Sequence, residues 1–554
     1  MAHKTFAHGV TWDPQVKSYL ASALGAARLA AISDALARPS LRPTLRVNTL
    51  RKTPAAVVEE LRARLGAAAA GAHPHPVVPS AVVLPGRGPN QPCYEELCGE
   101  RGSPSHLIAI NRYAGEAVLK GADVFSPGLL AATPGLAAGD LVAVSVALEE
   151  KPTRLTRGTV LRPDAQARLA PRHRLHVGVG RAAGGRVELF RLQGGMAVEM
   201  VERVYDIPPC NGVLRGDAML QALPCIVAAH AMDPQPGWTV LDMCASPGGK
   251  TTMLAQLMGD AGRVIALDRT KSKVEAVRSL ASDLGISIVD ARVADSTQLC
   301  PPPPGAAGAP RQRPRAGAGA GGGGRAADGG VERLTDEAEA EGGGSGSEDK
   351  AAAGDAADEG GGGAAAAGAA EAGAWAGANA LSDFPPESFD AVLLDAPCSA
   401  LGLRPRLLHG WRLGQLQSTA GLQRALLHSA MHLLKPGGVL VYCTCTINPG
   451  ENEGNVRFAL DRWRGALELE RQPLVLGGPG LSGPGWLSPE EASLVQRFDP
   501  GAGPDDTIGF FIARFRKTAP TAAAPTAAAA EAAAASEAAA TAAVGVAAGA
   551  PAAR

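Results

Sequence analysis

One stretch constrains the fold more than any other: Val240-Leu-Asp-Met-Cys-Ala-Ser-Pro-Gly-Gly-Lys250-Thr-Thr. An apolar strand, Val240–Met243, enters a loop of small residues that opens a helix from about Lys250 to Met258. Gly248 and Gly249 let the backbone approach a ligand closely, and the helix start offers free N–H groups. The pattern is not GxxxxGK[ST], so it is not a phosphate-binding P-loop. The alternation then repeats. Val264–Asp268 reads as a strand and Thr270–Leu284 as a helix. Further on, Ala391–Asp395 is a strand, Leu413–Leu434 a long helix, Lys435–Gly438 a turn and Val439–Cys443 a strand. Strands alternating with helices predict an α/β fold with a doubly wound parallel sheet, over 206–300 and 381–517.

Composition explains the break between the two halves. In 301–380, 48 of 80 residues are Gly or Ala, and four prolines open the segment. Such sequence buries too little apolar surface to offset its ordering entropy, so it is expected to be a disordered insertion. The Ala-rich tail 518–554 has no apolar stripe and is expected to be disordered too. The whole chain of 554 residues carries a formal charge of -1, which argues against a nucleic-acid partner. The insertion, however, holds 6 Lys+Arg against 12 Asp+Glu, and the tail 1 against 2, which leaves the remainder at +6. A mildly basic folded part suits a polyanion.

Other classes drop out. No apolar run approaches the roughly 20 residues that span a bilayer. Met1–Val10 lacks the apolar core of a secretory signal. Nine cysteines, an odd number in a long chain, fit a reducing compartment better than a disulfide framework. No paired CxxC motifs suggest a metal site. A monomer in the cytoplasm is the default expectation.

Upstream, residues 1–110 read as an α/β region with helical patterns at Asp13–Leu24 and Pro54–Leu65 and a strand at Thr44–Val47. Residues 111–205 carry β-rich runs, Asp140–Ala147, Leu175–Val179 and Arg186–Leu189, between Gly and Pro turns. They predict a small barrel or sandwich.

The candidate site residues lie at strand ends. Asp268 ends a strand 20 residues after Gly248, where an acid can accept from ribose hydroxyls. Asp295 follows Ile288–Ala294, placed to reach an adenine amino group or simply to cap a loop. Leu394-Asp395-Ala-Pro-Cys398-Ser ends another strand, and Tyr442-Cys443-Thr444-Cys445-Thr446 the next. A buried free cysteine is usually a small hydrophobe. Two strand-end cysteines beside an Asp and a cofactor loop indicate chemistry instead.

Together these motifs resemble the Nop/Sun family of RNA cytosine-5 methyltransferases. The cofactor loop corresponds to Cys244–Lys250, the proline-cysteine motif to Asp395–Cys398 and the threonine-cysteine motif to Thr444–Cys445. The likeness extends to Asn448–Glu453 and Asp506–Phe515. Gly115–Gly128 resembles the opening of a PUA domain, a small RNA-binding β-barrel. PUA-containing members of this family methylate a cytosine near the 3′ end of tRNA, and Leu45–Thr49 and Gln496–Pro500 resemble them as well. Ser246 stands where Ala is commoner, and Cys443 where Ser is commoner.

The resemblance implies a Rossmann-like class I methyltransferase domain with an inserted PUA barrel, using S-adenosylmethionine. It implies cofactor contacts from Cys244, Ala245, Ser246, Pro247, Gly248, Gly249, Lys250, Asp268, Asp295 and Asp395. It makes Cys445 the nucleophile at cytosine carbon 6, Cys398 the group that assists elimination, and Asp395 the partner of ring nitrogen 3 and the amine. Lys250 would orient the base or tune a thiol, although a first-turn lysine ordinarily faces solvent. The implied partner is RNA, foremost tRNA. The alternatives are ribosomal or messenger RNA as substrate, an inactive RNA-binding scaffold, or a small-molecule methyltransferase.

Overall fold

The computed structural model describes residues 9–92, 106–148, 155–162, 174–210, 212–299 and 384–521. The expectations for the insertion 301–380 and for nearly all of the tail fall outside them.

Strand β1 (Thr239–Asp242) lies near the middle of the largest sheet. It is joined by β2 (Arg263–Asp268), β3 (Val289–Val293), β4 (Phe389–Asp395), β5 (Leu434–Thr444), β6 (Leu467–Leu469), β7 (Gln496–Phe498) and β8 (Phe510–Lys517). The order is β3-β2-β1-β4-β5-β8-β6, with β7 also on β8. Strands β1 to β5 are mutually parallel. The all-parallel expectation fails at one side, where β8 runs antiparallel to β5, β6 and β7. Chain order runs outward from β1 to β3 on one side and from β4 on the other. The crevice beyond the C-terminal ends of β1 and β4 is therefore the switch point where such sheets bind ligands.

Alternation in the strands accounts for burial on both faces. Leu241, Leu267, Leu394 and Leu440 face one core, with Leu426 and Met431 of the long helix. Val240, Val264, Leu393 and Val441 face the other, beneath α1 (Leu223–Met232) and α2 (Gly249–Leu257). Helix α3 (Lys271–Leu284) starts on a Thr270 cap and stops at Gly285. Helix α4 (Leu413–Leu433) runs directly into β5, so the expected turn Lys435–Gly438 becomes an irregularity within the strand.

A second, seven-stranded sheet lies between Leu107 and Arg203. The strand Leu107–Ile110 pairs inside this sheet with Leu129–Ala132 and Leu141–Ala147. The unit therefore starts before the expected boundary at 111. Arg186–Leu189, read as a strand, lies in a helix, Arg186–Arg191. Its apolar pair Val187 and Leu189 fits a strand period, but Glu188 Oε2 accepts the Gly185 N–H at 2.9 Å and caps a helical turn.

The third sheet pairs Ala218–Leu220 with Thr44–Val47 of the N-terminal region. The middle sheet is thus an insertion within the N-terminal unit. Val16, Leu20 and Ile32 of that unit pack against Leu401 and Ile447, which flank the two cysteine loops.

Candidate active site

The loop after β1 is latched at both ends. Asp242 is buried and accepts from Thr251 Oγ1 at 2.7 Å and from the Cys244 N–H at 3.4 Å. Burial pushes its carboxyl up to about 7. Gly248 has φ +102°, and a Cβ there would sit 3.2 Å from Val277 Cα, so this bend requires glycine. Ala245 is buried and donates its N–H to Leu267 O at 2.9 Å. Asp268 Oδ2 accepts the Ser246 N–H at 3.1 Å, and Oδ1 the Arg269 N–H at 2.7 Å. Asp295 caps a short turn, accepting from Thr297 N–H at 3.0 Å and Thr297 Oγ1 at 2.7 Å.

Cys244, Asp268 and Asp295 line one cavity of about 220 Å³, walled on the apolar side by Pro397, Leu422 and Leu426. Carboxylates at the ends of β2 and β3 opposite an apolar wall fit a nucleoside with ribose hydroxyls and a flat base. Ser246, Pro247, Gly248 and Gly249 shape the loop behind it.

Lys250 and Asp395 form a second group. Lys250 Nζ lies 2.5 Å from Asp395 Oδ2 and 5.4 Å from the centre of the Phe510 ring. The alternative of a solvent-facing lysine does not hold, since the side chain of Lys250 is only 12% exposed. Burial opposes the ammonium, but the Asp395 carboxylate, together with Cys225 and Cys443, holds Lys250 well above the usual lysine range. Cys443, opposite Asp395 in the sheet register, donates to Asp395 Oδ1 at 3.3 Å. Burial pushes Cys443 well up, and Cys225 of α1 up to about 11, despite the nearby Lys250 charge. Both remain neutral thiols.

The third group is the thiol pair. Cys398 Sγ and Cys445 Sγ are 3.3 Å apart. The hydrogen bond to Cys445, followed by burial, raises Cys398 well above the usual thiol range. Cys398 is the more enclosed of the two, while Cys445 is half-buried.

Four contributors were not singled out by the sequence. Cys225 and Phe510 face Lys250. Glu451 lies buried behind the cysteines. Arg46, fully buried, donates to Gly249 O at 2.5 Å and to Thr252 Oγ1 at 3.0 Å, which braces the start of α2 from the N-terminal unit. A charged residue inside the strand Thr44–Val47 is the one signal that could have exposed Arg46. Among the described residues, no cluster of His, Cys, Asp or Glu could hold a metal, and no helix is long and apolar enough to cross a membrane.

A sheet of this order with a nucleoside-shaped cleft at its switch point is that of a class I methyltransferase, which uses S-adenosylmethionine. The chain belongs to the RsmB/F, or Nop/Sun, family of RNA cytosine-C5 methyltransferases. The family model "16S rRNA methyltransferase RsmB/F" matches residues 229–301 and 371–516. The rRNA (cytosine-C(5))-methyltransferase NOP2C of Arabidopsis thaliana is 37% identical, over 91% of this chain and 90% of that protein. The tRNA (cytosine(72)-C(5))-methyltransferase NSUN6 of Mus musculus is 33% identical, over 88% and 90%. The crystal structure of NSun6 from Pyrococcus horikoshii with SFG, an analogue of S-adenosylmethionine, superposes with a TM-score of 0.63. It is 26% identical and covers 92% of this chain and 98% of its own.

Proposed function

We propose that this enzyme forms 5-methylcytosine near the 3′ end of the tRNA acceptor stem through a covalent Cys445 adduct. The observation that carries the chemistry is the 3.3 Å thiol pair beside the Asp395–Lys250 ion pair. Bound S-adenosylmethionine supplies the methyl group, with Asp268 and Asp295 placed to hold its ribose and base.

Cytosine carbon 5 is a weak nucleophile. Addition of the Cys445 thiolate to carbon 6 makes the ring enamine-like, so that carbon 5 takes the methyl group. Asp395, held by Lys250, faces ring nitrogen 3 and the exocyclic amine and stabilises the charge that develops there. Forming the carbon–sulfur bond removes the Cys445 hydrogen bond and charge that, along with burial, hold the proton on Cys398. Cys398 then loses its proton to solvent and becomes the base for the carbon 5 proton. As that proton leaves, its electron pair restores the ring double bond, and the carbon 6–sulfur pair returns to Cys445. The target base must leave its stack to reach this pocket.

The tRNA reading is supported by the mouse and Pyrococcus horikoshii relatives, both named tRNA (cytosine(72)-C(5))-methyltransferases, and by the seven-stranded middle sheet, which we read as a PUA-like RNA-binding domain. A ribosomal substrate is the second reading, favoured by the name of the Arabidopsis relative. Purified tRNA and rRNA are incubated with protein and isotope-labelled cofactor, and their nucleosides are read by mass spectrometry. Labelled 5-methylcytosine in tRNA is expected. Label in rRNA alone overturns the tRNA reading, and label in neither overturns the activity.

A further inference from the structure

Behind the thiol pair lies a carboxylate that neither the methyl transfer nor the cofactor uses. Glu451 has no exposed surface. Its Oε2 accepts from the Ser399 N–H and from Gln423 Nε2, both at 2.9 Å. Its Oε1 accepts from Ser399 Oγ at 2.5 Å and from Asn448 Nδ2 at 2.8 Å. All four donors are neutral. A buried charge is costly unless its hydrogen-bonding capacity is filled, and an apolar residue would usually serve stability as well. What these bonds join is specific. Ser399 follows Cys398, and its hydroxyl is 2.8 Å from Thr446 Oγ1, which follows Cys445. The Gly402 N–H also donates to Cys445 O at 3.0 Å.

We propose that Glu451 is a positioning residue for the thiol pair. It clamps the loop after β4 to the loop after β5 and so sets the sulfur–sulfur separation at which Cys398 serves the elimination. The inference rests on the covalent mechanism above. After the Cys445 hydrogen bond, burial and the Cys445 charge, the charge of Glu451 further disfavours a thiolate at Cys398.

The test uses the full-length protein, a tRNA transcript and labelled cofactor. Glu451→Gln keeps the size but turns one acceptor into a donor facing other donors. Methylation in a single turnover should stay within about 3-fold of wild type, whereas steady-state turnover should fall roughly 10- to 100-fold, as expected for a group displaced by about 1 Å. The RNA–protein adduct should accumulate on denaturing gels, as it should for Cys398→Ala. Ser399→Ala, which removes the hydroxyl's bonds to Glu451 and Thr446 but keeps the backbone N–H bond and the charge, should show a smaller shift in the same direction. Wild-type release by Glu451→Gln, with adduct trapped by Cys398→Ala, overturns the inference alone. Equal losses in single and steady-state turnover, or failure of Glu451→Gln to fold while Ser399→Ala behaves as wild type, overturn it too, since Glu451 would then serve only the fold. If Cys398→Ala traps nothing, the covalent reading falls and this inference with it.

Discussion

The cofactor cleft and the thiol pocket share the C-terminal edge of one sheet, yet different contacts hold them. In the cleft, Asp242, Asp268 and Asp295 accept from backbone N–H groups and hydroxyls of neighbouring loops, between one and 22 residues away in the chain. In the pocket, Lys250 meets Asp395 across 145 residues, and Ser399 meets Glu451 across 52. The acids of the cleft are held by local contacts, although its apolar wall, Pro397, Leu422 and Leu426, comes from far along the chain. The pocket is assembled from distant segments, and its buried charges and thiols depend on one another. Substitutions in the pocket should therefore stop chemistry with little effect on cofactor affinity, and substitutions in the cleft should do the reverse.

The largest effect is expected at Cys445. Cys445→Ala should lower methyl transfer by at least about 1000-fold, because no other group supplies the nucleophile, while calorimetry shows cofactor binding unchanged. Retained activity would remove the division between the two regions. Lys250→Met comes next. It strands the Asp395 carboxylate in a partly buried site, so kcat should fall about 100-fold while cofactor affinity changes by less than about 3-fold. A parallel loss of affinity would show that Lys250 belongs to the cleft instead. Asp268→Asn should act in the opposite sense, weakening cofactor binding roughly tenfold while kcat at saturating cofactor is largely kept.

Asp242 sharpens the comparison through pH. Its folded carboxyl titrates at about 7, above its unfolded value near 3.9. Between those values the folded state holds a proton that the unfolded state has lost. Stability from this group is thus complete below about pH 4, declines as pH rises toward 7, and levels off above. Thermal melts should show wild type losing more Tm than Asp242→Asn between pH 5 and 8. Equal slopes would contradict the burial argument. The smallest effect is expected at Cys443. Cys443→Ser retains a donor to Asp395 Oδ1, so activity should stay within about 3-fold of wild type. A large loss would give this thiol a chemical role that its buried, neutral state does not suggest.

Much of this molecule was legible from the chain. The α/β alternation, the loop at Cys244–Lys250 and the acids at strand ends follow from contiguous patterns, because strand and helix periods and loop chemistry are local properties. Local pattern also misled. Val187 and Leu189 fit a strand period but lie in a capped helical turn, and Ala218–Leu220 belongs to the N-terminal sheet. Glu451 lay within a recognised motif, but its role depends on what packs around it.

The sequence by itself determined the α/β fold class and the family and marked the candidate reactive groups, since each rests on short contiguous motifs. Only the tertiary structure decided how those groups are set. It buried Lys250 against Asp395, brought the two thiols to 3.3 Å and tied the two cysteine loops through Glu451. Burial and electrostatic strength depend on every segment packed around a group, and those segments lie far apart in the chain.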